Sequence, residues 1–162
     1  MSKQSLVTST LVLTIATLTS KILGSVFRIP LQNIAGDEVL GIFSLVYPVY
    51  MVALILSVAG LPLAISKLIS AADQQKDQTM IRDIYVTASI LALLFGFISF
   101  SLIYAFRAPI SYMLGGESSE LALVISAMTL LIAPYMAVYR GYFQGLGDMI
   151  PTALSQVFEQ LI

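Results

Sequence analysis

The chain has 162 residues, 58% of them hydrophobic and only 10% charged, with a mean hydropathy of +0.93. A soluble domain carries about 25% charged residues, so eight Lys or Arg and nine Asp or Glu cannot cover a water-facing surface, and the hydrophobicity excludes disorder. Without Cys or His there is no disulfide, thiolate, imidazole or ordinary zinc chemistry, and a net charge of −1 gives no basis for binding nucleic acid.

What is left is an all-α integral membrane protein, and the charges themselves divide it. The uncharged runs hold 17 residues between Lys3 and Lys21, 28 between Glu38 and Lys67, 23 between Asp83 and Arg107, and 19 between Glu120 and Arg140. About 20 apolar residues cross a hydrocarbon core as a helix, and backbone groups in lipid must bond within their own segment. Period-two alternation, the mark of a barrel strand, is missing from Leu91–Phe100. Four transmembrane helices are expected, at about 5–31, 40–69, 84–106 and 120–142. Residues 70–83 (SAADQQKDQTMIRD) read as a solvated linker.

A fifth helix starts at Pro151, a natural first-turn residue, and residues 151–162 are half a crossing at about 1.5 Å per residue. The chain is therefore expected to be the N-terminal part of a longer polytopic protein, with residues 1–162 in one transporter lobe. With the N-terminus inside, Lys3, Lys67, Lys76, Arg82 and Arg140 are cytoplasmic, against Arg28 and Arg107 outside. The positive-inside rule favours that orientation.

Helix 1 carries the functional signal. At about 100° per residue, Thr10, Thr14, Thr17, Lys21, Gly24, Ser25 and Arg28 share one side, and Leu11, Ile15, Leu18, Ile22 and Val26 the other. Lys21 and Arg28 lie about 10 Å apart along the axis. Charge facing lipid is costly, so the stripe should face a hydrated cavity or other helices, with snorkelling to the interface as the alternative. The threonines below Lys21 favour a cavity. Apart from Glu159, no Asp or Glu falls within an expected span. Cations without carboxylates suit an anion, with phosphate or pyrophosphate the natural ligand for Arg and Lys.

Elsewhere the signals concern packing and bending. Ala88, Ala92 and Gly96 form a small-residue stripe on helix 3, which lets another helix come close. Pro48, the run Gly60-Leu61-Pro62 and Pro134 invite kinks. Gly145-Leu146-Gly147-Asp148 matches the GxGD pattern of intramembrane aspartyl proteases, whose chemistry requires a second carboxylate sharing the proton. With no second Asp in a span, a glycine-rich turn with Asp148 near a helix start is the stronger reading.

Three stretches then resemble one family. They are Ser20-Lys21-Ile22-Leu23-Gly24 with Arg28, Gly41-Ile42-Phe43-Ser44-Leu45-Val46-Tyr47-Pro48, and Arg140-Gly141-Tyr142-Phe143-Gln144-Gly145 through Pro151 to Glu159. In order and spacing they are similar to the polysaccharide-transporter branch of the multidrug/oligosaccharidyl-lipid/polysaccharide flippase superfamily, in its stage V sporulation protein B-like group. The resemblance implies twelve to fourteen helices in two lobes around a cavity, of which this chain supplies most of the first lobe. It implies transport of an undecaprenyl-pyrophosphate-linked glycan precursor across a bacterial cytoplasmic membrane, without a cofactor, metal or catalytic residue. Lys21 and Arg28 match the cavity cations of the lipid II flippases, with Thr10, Thr14, Thr17, Ser25 and Glu159 as further lining. The expected partners are the bilayer, the lipid-linked pyrophosphoryl glycan and the remaining helices of the transporter. A cation-coupled drug antiporter of the same fold is the alternative, and a GxGD protease the remote one.

Overall fold

The computed structural model describes residues 6–116 and 118–159, and within them all side chains but those of residues 6, 7, 9, 27, 28, 31 and 32. Every regular element there is helical: α1 (Leu6–Val58), α2 (Leu61–Gln74), α3 (Gln78–Ala105), α4 (Arg107–Met113), α5 (Ser118–Met128), a 3₁₀ turn (Thr129–Leu131), α6 (Ala133–Gly145) and α7 (Ile150–Phe158).

Three stretches are long and apolar enough to cross a membrane, Asn33–Gln74, Gln78–Ala105 and Ser118–Gly145, while Thr10–Val26 is a shorter apolar helix. The shorter helix lies within the first of the four expected crossings. Large apolar side chains are exposed along the spans, Leu56 at 77% and Phe97 at 62% among them. In water such a surface would not persist; in a bilayer it faces lipid or further helices. The chain is a multi-pass membrane protein.

The expected link between the first two helices shrinks to one residue. Backbone of α1 leaves helical geometry only at Gly36, at φ 77° and ψ 169°, a region open chiefly to glycine. Asp37 and Glu38 follow, at the start of the second limb. That limb runs on through Pro48 and stops at Val58. Gly60 then turns left-handed, and Pro62 occupies the first turn of α2, where its missing N–H costs nothing. The expected helix 40–69 is therefore two helices.

Residues 70–83 also differ from expectation. They are mostly helical, because α2 extends to Gln74 and α3 begins at Gln78. Only 75–77 remain as the turn, with Lys76 at φ 54°. Asp77 closes it as an N-cap, its Oδ1 accepting from Met80 N–H at 2.9 Å. At Pro134 the fourth crossing breaks as expected, behind the 3₁₀ turn.

Two buried clusters hold the bundle. Ile65, Ile69, Ala72, Ile81, Ala92 and Val138 join α2, α3 and α6. Val46, Ile103, Leu123, Ala127 and Leu130 join the second limb of α1 to α3, α5 and the 3₁₀ turn. The small-residue stripe packs as expected: Ala92 is fully buried, and a Cβ on Gly96 would stand 2.6 Å from the Leu130 carbonyl oxygen. Between α1 and α3, the Ser57 and Ser99 hydroxyls bond at 2.6 Å.

At one end, Arg107 Nε donates to Glu120 Oε1 at 2.8 Å, and its guanidinium lies 4.4 Å from the Tyr104 ring centroid. Both partners are more than a third exposed, and exposed pairs contribute about 0–1 kcal/mol. Glu120→Gln is accordingly expected to lower the thermal midpoint of the purified protein only slightly. A large drop would show that this pair anchors α4.

Candidate functional site

The polar side of the first limb of α1 meets α7, and a groove of about 350 Å³ opens along that contact. Thr17, Ser20, Lys21, Gly24 and Ser25 line one wall; Gln156 and Glu159 line the other. The opposite side of the limb points outward, with Leu11, Ile15, Leu18, Ile22 and Val26 each more than half exposed. This two-sided distribution turns the polar side of the limb toward α7.

Hydrogen bonds join the walls. Thr17 Oγ1 donates to Gln156 Oε1 at 3.3 Å, and Ser20 Oγ to the Gln156 carbonyl at 3.0 Å. Ser25 turns back on its own helix, donating to the Lys21 carbonyl at 2.9 Å, as Thr14 does to the Thr10 carbonyl at 2.8 Å. Lys21 makes no ion pair among the described residues, and its side chain is exposed in the groove.

Of the residues singled out from sequence, the groove brings together Thr17, Lys21, Ser25 and Glu159. Thr10 and Thr14 are on the same limb but do not line it. The Arg28 side chain lies outside the described residues.

Arg140, counted from sequence among the cytoplasmic helix-end cations, pairs with the Glu159 wall of the groove. It is three-quarters buried or more, at 22% side-chain exposure. Its Nε donates to Ser155 Oγ at 3.1 Å and its Nη2 to Glu159 Oε2 at 2.5 Å. The Ser155 hydroxyl donates onward to the Thr152 carbonyl at 2.8 Å. Glu159 is thus both a groove wall and the partner of a guanidinium. Lys21, Arg140 and Glu159 leave the site one positive charge in excess.

Ser20 and Gln156 carried a faint sequence signal: Ser20 follows Thr17 by three positions, and Gln156 shares a face with Glu159. Nothing in sequence spacing joins Arg140 to Glu159, which are 19 residues apart on different helices. Gly145–Asp148 proves to be a tight turn between α6 and α7. Gly147 has φ 78°, and Asp148 Oδ1 accepts from Ile150 N–H at 3.1 Å. This is the glycine-rich turn expected, with Asp148 at the start of α7.

Comparison with known proteins matches residues 6–162 to the family model described as polysaccharide biosynthesis protein. Three similar proteins come from Bacillus subtilis. The uncharacterized membrane protein YabM is 36% identical, over 93% of this chain and 28% of its own length. Stage V sporulation protein B is 32% identical over 100% and 32%, and the lipid II flippase MurJ 32% identical over 97% and 30%. The chain thus spans about a third of the length of these curated relatives. No solved structure matches it. A match over nearly every residue, joined to an all-helical membrane architecture, places this chain in the polysaccharide biosynthesis protein family of the multidrug/oligosaccharidyl-lipid/polysaccharide flippase superfamily.

Proposed function

We propose that the chain is part of a flippase that moves an undecaprenyl-pyrophosphate-linked oligosaccharide or peptidoglycan precursor across the bacterial cytoplasmic membrane by alternating access. The N-terminus is on the cytoplasmic side, and Lys21 and Arg28 hold the pyrophosphate. One observation carries the reading: an exposed ammonium in a hydroxyl-lined groove, on a helix whose other face is apolar. Pyrophosphate offers several charged oxygens, which Lys meets as a point charge and Arg through its fork. The relative named as a lipid II flippase supports the substrate class.

The test is translocation of a lipid-linked pyrophosphoryl glycan in vesicles containing the full-length protein. Lys21→Ala with Arg28→Ala is expected to abolish it; undiminished transport overturns the reading.

A cation-coupled antiporter draws on one feature, the Glu159 carboxylate in the groove. Such a mechanism calls for carboxylates facing the cavity, and among the described residues Glu159 is the single one lining the groove, beside the Lys21 ammonium. The flippase reading is the better supported.

A further inference from the structure

We infer that Glu159 is a built-in competitor for the anion the groove receives, and that its displacement releases Arg140 as a further cation for the pyrophosphoryl group. The inference rests on the flippase reading and adds to it a residue that sets affinity.

The geometry separates two tasks on α7. Ser155 Oγ accepts from Arg140 Nε and is itself fixed by its bond to the Thr152 carbonyl. This bond positions the guanidinium independently of Glu159. The Glu159 carboxylate takes the Nη2 hydrogen bond, yet it lies 60% exposed on the groove wall shared with Lys21. Arg140 is therefore pre-oriented, and its pairing surface is occupied by a group that an incoming ligand can reach.

The guanidinium is mostly buried, but its carboxylate partner is open to water and screened by it. A diphosphate brings more charge and more acceptor oxygens than one carboxylate and meets Arg bidentately. The ligand wins Arg140 only by displacing a tethered competitor. The groove consequently holds its anion less tightly than its cations alone would dictate, which suits a carrier that must also let go.

The experiment measures binding to the full-length protein in nanodiscs, with two probes: soluble inorganic pyrophosphate and a prenyl pyrophosphate in the bilayer. Glu159→Gln keeps shape and removes charge, and is expected to tighten binding about tenfold for at least one probe. The probe that gains more identifies whether the free anion or the lipid headgroup is the better ligand. Glu159→Asp, which keeps the charge, should stay near wild type.

The decisive arm is the Arg140→Gln background, where Glu159→Gln should bring no gain. An equal gain there would mean that the carboxylate merely repels anions, and would overturn the inference. No change, or weaker binding, in Glu159→Gln overturns it as well. If Lys21→Ala weakens binding while Glu159→Gln leaves it unchanged, this inference falls and the flippase reading stands. If Lys21→Ala and Arg28→Ala leave both probes unaffected, the flippase reading falls; if no form binds either probe, both fall. A purely structural Arg140–Glu159 pair would lower thermal stability in Glu159→Gln without tightening binding.

Discussion

Gly145→Ala is expected to destabilise the bundle, whereas Gly41→Ala should leave it unchanged or slightly stabler. An added Cβ at Gly145 would stand 2.7 Å from Ile69 Cβ and 2.9 Å from the Ser66 carbonyl oxygen. One turn earlier on α6, a Cβ at Gly141 would meet the Pro62 carbonyl oxygen at 2.8 Å. Together they let α6 lie directly on α2, the close approach that small residues four apart permit in membranes. The obstacles are backbone atoms and a β-branched Cβ, so no flexible side chain can swing aside.

Overpacking of this kind costs about 1–3 kcal/mol, more than the ~1 kcal/mol of helix propensity that alanine recovers over glycine. At Gly41 nothing lies within 4 Å, so only the propensity gain is left. Thermal unfolding of the purified full-length variants checks the difference. Equal midpoints for Gly145→Ala and Gly41→Ala would disprove the α2–α6 seam. Ile69, fully buried against this seam, makes the same contact readable from the other side.

Lys21 supports the second large effect. Lys21→Gln is expected to cut transport of a lipid-linked pyrophosphoryl substrate by about ten- to a hundredfold, the equivalent of about 1.5–3 kcal/mol for one charged hydrogen bond. Lys21→Arg keeps the charge in the groove and should retain most activity. Lys21→Glu places a second carboxylate beside Glu159 and should abolish it. Thr17→Val is the control for fold: it removes the bond to Gln156 Oε1 while leaving every charge in place. Transport that follows charge across the Lys21 series, and changes little in Thr17→Val, assigns the effect to the ammonium. Loss in Lys21→Arg equal to that in Lys21→Gln would mean that shape, not charge, matters there.

Much of this was legible in one dimension. In a bilayer an uncharged run of sufficient length has one low-energy backbone solution, so counting between charges found the apolar helices. The same arithmetic put Thr17, Lys21 and Ser25 on one face and Ile15, Leu18 and Ile22 on the other. Pro62 and Pro134 stand in the first turns of new helices, whereas α1 continues through Pro48. Expectation and structure part where continuing a helix and interrupting it differ by little: Gly36 breaks α1 in a single residue, and the polar stretch 70–83 is helical except for a three-residue turn. Polarity there reports exposure to water, not loss of helix.

The membrane class, the apolar segments, the two-faced first helix and the family are all written in the order of the residues. These follow from hydrophobicity, charge and the fixed angular step of a helix. Helix packing brings α7 to the groove as its second wall, seats α6 on α2 at Gly141 and Gly145, and pairs Arg140 with Glu159. Each of these joins helices whose relative position is set by side-chain packing across the whole bundle, and no local periodicity encodes it.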